Sequence, residues 1–354
     1  MSVTEIYASD AKARLAVVGA GTAGRRHIDA IVKSDAAELA GIVDTDPARH
    51  DTGGLPDTIF ASTVEQLLQT VRPDGVVIAT PTDHHTEPTL QCLAAGCSVL
   101  IEKPVSDSLA EARRIRQAES KSGGWILVGH QRRYHSQVAE ARRVIQSKTL
   151  GRLVMVSGLW GVRKHRSYYD PAWRRSRQAG PVMINLTHEL DLLRHLCGEI
   201  QEVFAFSGSG VEGWEKEDVV AVSLRFKSGV LGSFILSDRV VSPWAWEFST
   251  GENILCPKLE QNYLNFAGTE ASLEFPNLVL WRQDQRECDW TRPIHPAGEA
   301  TEFVNPFILQ VEHFAKVALG RESPRITVSD AVRNLEAALA VLEAARTGRA
   351  QRLN

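Results

Sequence analysis

The sequence of 354 residues is poor in the features that mark several protein classes. Its cysteines are few (Cys92, Cys97, Cys197, Cys256 and Cys288), odd in number and without a Cys-x-x-Cys pair. That pattern gives no disulfide framework, and the thiols are expected to be reduced packing residues of a cytoplasmic protein. Neither sign of charge dominates. The formal net charge is -3 and the pI about 6.4, so there is no electrostatic case for nucleic acid. No apolar run approaches a membrane span, and Met1 to Lys12 is polar and mixed in charge, unlike a secretory signal. Low-complexity segments and internal repeats are missing as well. What the chain does have is 43% hydrophobic residues, enough for a sizeable core, and a length that predicts two domains.

The first third alternates strand and helix signals. Arg14 to Val18 reads as a buried strand, followed at once by Gly19-Ala20-Gly21-Thr22-Ala23-Gly24 and a helical stretch from Arg25 to Lys33. In that setting Gly19 permits a tight turn, Gly21 lets backbone approach a pyrophosphate, and Gly24 lets helix and strand pack closely. Gly19, Gly21, Thr22, Ala23 and Gly24 are therefore expected to contact a dinucleotide at the helix N-terminus. A second strand, Leu39 to Val43, ends at Asp44, about 20 residues past the last glycine, where a carboxylate binds the adenosine ribose hydroxyls. The same carboxylate repels a 2′-phosphate, so NAD is expected over NADP, with Arg49 softening the preference.

Further signals are a helix over Thr63 to Thr70, strands over Gly75 to Ala79 and up to Ile101, a helix over Glu87 to Ala95, and a capped helix from Ser108 to about Lys121. A strand over Trp125 to Val128 closes the series. The alternation predicts an α/β fold, a doubly wound parallel Rossmann sheet over 1–129. Over 130–354 the pattern predicts a second α/β domain with an open, largely antiparallel sheet, for substrate binding and oligomerisation. Its strands are expected over Arg152–Leu159, Val203–Ser207, Val219–Phe226, Val230–Leu236 and Leu273–Phe275, with terminal helices over Pro306–Leu319 and Ser329–Arg346.

Several stretches then resemble one family. They are Val17 to Gly24 with His27, Ala79-Thr80-Pro81-Thr82-Asp83-His84-His85, Ala95-Gly96 followed by Glu102-Lys103-Pro104, Gly129-His130-Gln131-Arg132-Arg133-Tyr134, and His188-Glu189-Leu190-Asp191. In order and spacing the chain is similar, over nearly its whole length, to the glucose-fructose oxidoreductase/inositol dehydrogenase/MocA oxidoreductases. The resemblance implies a metal-free, NAD-dependent hydride transfer at a secondary alcohol of a sugar, cyclitol or glycoside. It also implies a homodimer or homotetramer, because relatives commonly cover the open sheet by pairing subunits.

Site residues follow from the same resemblance. Lys103 matches the family's active-site lysine, expected to touch both substrate and cofactor, with Glu102 orienting its surroundings beside the cofactor. Thr80, Pro81 and His85 are expected on the cofactor, His84 faces elsewhere, and Gln131 stands where relatives often carry asparagine. His188 is the expected base, since an imidazole titrates near working pH. The family's usual aspartate four residues before it is here Ile184, so the usual pairing is missing; the neighbouring Asn185 orients substrate but takes no proton. Asp191 is expected on a substrate hydroxyl or at the helix start. Among Arg163, Lys164, His165, Arg166, Tyr168, Tyr169, Trp173, Arg174, Arg175 and Arg177, the residues Tyr168, Trp173 and Arg174 are the candidates for holding a sugar or an anionic group. A subunit-contacting loop is the other reading. Trp244 and Trp246 belong to the same pocket or to a subunit contact. The spacing of His188, Asp191 and His195 would also suit a metal, but no further ligand cluster supports one. Two other functions use the same fold: a non-catalytic NAD-bound sensor or scaffold, and an enzyme that modifies glycosides with tightly held, recycled NAD.

Overall fold

A computed structural model describes residues 11–49, 58–208, 213–253, 255–283, 289–297 and 303–353; Cys288 and the first ten residues lie outside them. The chain divides into two compact units, Met1–Gln131 with Asn305–Leu335 and Arg132–Val304 with Glu336–Asn354.

In chain order the first unit contains β1 (Ala13–Val18), α1 (Thr22–Val32), β2 (Ala37–Val43), β3 (Ile59–Ala61), α2 (Val64–Thr70), β4 (Gly75–Ile78), α3 (Thr86–Ala94), β5 (Ser98–Ile101), α4 (Leu109–Glu119) and β6 (Ile126–Val128). The six strands form one parallel sheet in the order β3-β2-β1-β4-β5-β6. Every residue of β4 and β5 is buried, as expected of strands covered on both faces. Full burial of side chains such as Leu15, Ile42 and Ile78 contributes about 1.5–3 kcal/mol each. Helix starts follow their caps. Thr63 Oγ1 accepts from Gln66 N at 3.2 Å, and Ser108 Oγ accepts from Glu111 N at 3.3 Å. The strand order reverses between β1 and β4, and at such a reversal a crevice opens beyond the carboxyl ends of the strands.

The second unit follows with α5 (Ser136–Gln146), β7 (Leu153–Gly161), α6 (Thr187–Cys197), β8 (Ile200–Gly208), β9 (Val219–Phe226), β10 (Leu231–Ser237), the single turn α7 (Trp246–Ser249), β11 (Leu264–Gly268), β12 (Ala271–Phe275), β13 (Val279–Arg282) and β14 (His295–Ala297). Then come α8 (Pro306–Ala318), α9 (Val328–Thr347) and β15 (Gln351–Arg352). The second sheet has nine strands in the order β14-β13-β12-β11-β7-β10-β9-β8-β15, antiparallel except for β7 with β10. Along β9 buried and more exposed positions alternate, the period-2 signature of a sheet with one covered face.

Three results go beyond the sequence expectations. Strands β3, β11, β13, β14 and β15 join the sheets although none exceeds five residues, too short for alternation to stand out. The apolar stretch that carries His188 is not one regular α-helix: a π-helix, Val182–Leu186, runs into α6. The segment 305–335, placed beyond residue 130 by the sequence division, belongs to the Rossmann unit. There Asn305 caps α8, Phe314 covers Gly75 at the start of β4, and Val128 N donates to Ile326 O at 3.0 Å.

Candidate active site

The glycine turn is built for close approach. Gly19 has φ +91°, and a Cβ there would stand 2.8 Å from the Ala79 carbonyl, so the ends of β1 and β4 touch through it. A Cβ on Gly24 would lie 1.8 Å from Gly19 O. Gly21 meets only Arg49 Nη1, at 3.7 Å, and it begins α1 without a side-chain cap or an acidic residue in the first turn. No acidic residue of its own first turn thus competes for the leading amides of α1, those of Thr22 and Ala23 among them, as suits an anion site at a helix start.

A cleft of about 860 Å³ opens over this turn, lined by Gly19, Gly21, Asp44, Arg49, Thr80 and Pro81 among others. Asp44 is fixed in its wall. Its Oδ2 accepts from Ala20 N at 2.8 Å and its Oδ1 from Asp46 N at 2.9 Å, with Arg49 Nη1 3.5 Å away. Burial pulls this carboxyl up, but the Asp46 and Ala20 amides and the Arg49 charge outweigh it and hold it below its ordinary range. The room above Gly21, the open helix start and the fixed carboxylate together fit a dinucleotide.

Beyond Thr80 the arrangement departs from the sequence expectation. His84 lines the cleft, whereas His85 is buried, with Nε2 2.9 Å from Thr80 O and Nδ1 3.1 Å from Pro104 O. His85 thereby ties the loop after β4 to the loop after β5. Lys103 and Glu102 follow β5, and the Lys103-Pro104 peptide is cis. Glu102 Oε2 accepts from Lys103 N at 3.1 Å, and its Oε1 accepts from His27 Nε2 at 2.7 Å. His27 belongs to the motif in the sequence but had no task there. Gln131 is buried at the end of this unit.

In the second unit, 166–179 is a chain of 3₁₀ turns, Arg166–Tyr169, Ala172–Arg175 and Arg177–Ala179. The Arg174 guanidinium stacks 4.0 Å from the Tyr168 ring centre and 5.2 Å from that of Trp173, and its Nη1 donates to Tyr168 O at 3.0 Å. Its Nε is buried without a hydrogen-bond partner. Tyr169 anchors the segment, donating to Asp238 Oδ2 at 2.9 Å, while the fully buried Lys216 donates to both oxygens of the same carboxylate. Glu217 Oε1 accepts from Val182 N at 2.9 Å, and a Cβ on Gly180 would collide with that carboxylate. Glycine at 180 thus lets Glu217 seize the start of the π-helix that leads to His188.

Along that helix Asn185 is buried, Ile184 and His188 are half-buried, and Asp191 is held by Arg133. Arg132 is buried, pairs with Glu189, and lies 4.4 Å from the Trp246 ring centre. Trp246 is therefore a core residue of this unit, which corrects its assignment to a pocket or subunit contact; Trp244 is partly exposed. Arg142 engages His195, and among the described residues no three His, Cys, Asp or Glu side chains are grouped to hold a metal ion.

The family model described as "Oxidoreductase family, NAD-binding Rossmann fold" matches residues 13–130, and that of the "GFO/IDH/MocA C-terminal domain" matches 138–274. The chain belongs to the Gfo/Idh/MocA family. This Gfo/Idh/MocA chain is 33% identical over 192 residues to an inositol 2-dehydrogenase of Arthrobacter sp. (strain FB24), a match covering 52% of this chain and 54% of that protein. It thus spans about half the length of that relative. It is 26% identical to a 1,5-anhydro-D-fructose reductase of Ensifer adhaerens over 95% of this chain and 97% of the other. Among solved structures, the WlbA dehydrogenase of Bordetella pertussis, determined with NADH and UDP-GlcNAcA, superposes with TM-score 0.80 at 22% identity, covering 98% of this chain and 99% of that one. The family model over residues 13–130 is thus that of an NAD-binding Rossmann fold. Among the described residues no helix is long and apolar enough to cross a membrane.

Proposed function

We propose that the chain transfers a hydride between NAD(H) and a secondary alcohol of a sugar, cyclitol or glycoside. The observation that carries this reading is the placing of Lys103 at the carboxyl end of β5, in the same sheet whose β1 and β4 ends form the glycine turn and the cleft. Ligands of such sheets lie outside those strand ends. The names of the relatives support the substrate class.

Bound nicotinamide supplies the hydride acceptor or donor. In our reading the leading amides of α1 hold the pyrophosphate and Asp44 the ribose hydroxyls. The Lys103 ammonium stabilises negative charge as the alcohol oxygen loses its proton. His188 takes that proton in oxidation and returns it in reduction. Asn185 orients a hydroxyl, and Ile184 leaves His188 without a carboxylate from that position. Tyr168, Trp173 and Arg174 contact the sugar.

A second copy of the chain covers the open face of the nine-stranded sheet in this proposal. Phe206, Ala221, Ile235 and Leu159 are register neighbours across four adjacent strands, and Met155 pairs with Leu231 two rows along the same face, beyond the row of Phe204, Ser223, Ser233 and Ser157. Phe206 is 68% and Met155 57% exposed, large apolar side chains on a face of the kind that subunits bury.

A panel of polyols, sugars and glycosides, followed by NADH absorbance, tests the proposal. Turnover of at least one class is expected. Silence across the panel despite tight NAD binding would assign the chain to the sensor class, and stoichiometric nucleotide that never exchanges would point to glycoside modification with recycled cofactor.

A further inference from the structure

His27 is wholly buried on α1, and its only hydrogen-bonded ring nitrogen is Nε2; Nδ1 has no partner. Its ring packs edge-on against Phe307, 5.7 Å between centres. An apolar side chain would fill this position without burying an orphaned nitrogen, so the imidazole is kept for its one bond. That bond reaches Glu102, 75 residues away in sequence and next to Lys103. The tautomer with its proton on Nε2 leaves no N–H unbonded and donates to Oε1, while Oε2 accepts from Lys103 N at 3.1 Å. From β6 a third constraint acts. A Cβ on Gly129 would stand 3.2 Å from Glu102 Cα and 3.3 Å from its carboxyl carbon, so glycine there makes room for this side chain.

We propose that His27 is a positioning residue for Lys103, acting through the Glu102 carboxylate. Donation from Nε2 fixes the rotamer of Glu102 and keeps its charge beside the lysine, and the Oε2 contact sets the backbone from which the ammonium projects. Burial raises the Glu102 carboxyl, but the His27 bond and the neighbouring Lys103 charge outweigh it and keep the group below its ordinary range. His85 also faces Glu102, and its own burial pushes its pKa down and disfavours charge there.

The inference rests on the reading of Lys103 as the acting lysine, but its test does not need turnover. Competitive acetylation of the full-length, NAD-free protein with acetic anhydride, resolved by peptide mass spectrometry, gives the pH midpoint of Lys103 reactivity. Glu102→Gln removes the negative charge beside the lysine and His27→Phe releases that charge from its fixed position, so the midpoint should fall in both, by on the order of one pH unit in Glu102→Gln. His27→Gln, which can still donate, should return it towards wild type. An unchanged midpoint in folded His27→Phe overturns the proposal. If His27→Phe does not fold, an unchanged midpoint in Glu102→Gln does the same. Failure of the reading of Lys103 would show separately, as full turnover by Lys103→Ala.

Discussion

Arg133 grips Asp191 with two guanidinium nitrogens, Nε to Oδ2 at 2.9 Å and Nη2 to Oδ1 at 2.5 Å. Both side chains are largely buried, so the pair holds α6 to the turn that begins the second unit. Removing one partner of a buried pair leaves the other charge uncompensated. Asp191→Ala should therefore lower unfolding stability by about 3–5 kcal/mol. Urea denaturation measures this. A large rise in KM at unchanged stability would instead return Asp191 to a substrate hydroxyl.

Lys103→Ala should lower kcat by roughly 10²-fold or more and leave NAD affinity within a few fold, because the ammonium acts on charge that develops during reaction. Steady-state kinetics and nucleotide titration separate the two effects. Near-normal turnover would remove Lys103 from the chemistry.

The Asp44 carboxyl, held below its ordinary range, is ionised throughout the neutral region. Its discrimination against a 2′-phosphate should accordingly be full where both groups are fully charged, above about pH 7, ease as the phosphate takes up its second proton near about pH 6, and be lost only on further acidification through the carboxylate range. The ratio of kcat/KM for NAD and NADP reports this. Asp44→Ser should reduce the ratio by at least tenfold, with Arg49 left facing the cleft; an unchanged ratio would take cofactor choice away from Asp44.

His188→Ala should flatten the acidic limb of the pH profile for alcohol oxidation, where a base loses effect by protonation. An unaltered limb would make His188 structural.

Substitution of Tyr168, Trp173 or Arg174 should raise KM for the sugar substrate far more than for NAD. The stack is compact, and Arg174→Ala removes both the charge and the platform at once. Unchanged KM values in all three variants would give the segment to subunit contact, which light scattering of the same variants examines; light scattering of Ile235→Glu and Phe206→Glu separately tests pairing through the sheet face.

Much of the first unit was legible because its signals are local. Glycine spacing, the caps at Thr63 and Ser108, and apolar runs in β4 and β5 each follow from chemistry within a few residues. What escaped depends on distant pairing. His27 meets Glu102 across 75 residues, Arg133 meets Asp191 across 58, and Glu217 meets Val182 across 35. No periodicity announces such partners. The exchange of places between His84 and His85 has the same origin: adjacent residues of one type are sorted by which one finds carbonyl oxygens on a neighbouring loop.

The return of α8 to the first sheet has a consequence for biosynthesis. Residues up to Gln131 leave the ribosome with Gly75 lacking Phe314 above it and Val128 lacking Ile326 at its edge. The nucleotide unit is complete only when the intervening unit has also been made, so a nascent chain stalled before residue 305 presents an uncovered apolar sheet to chaperones, however well its glycine turn is formed.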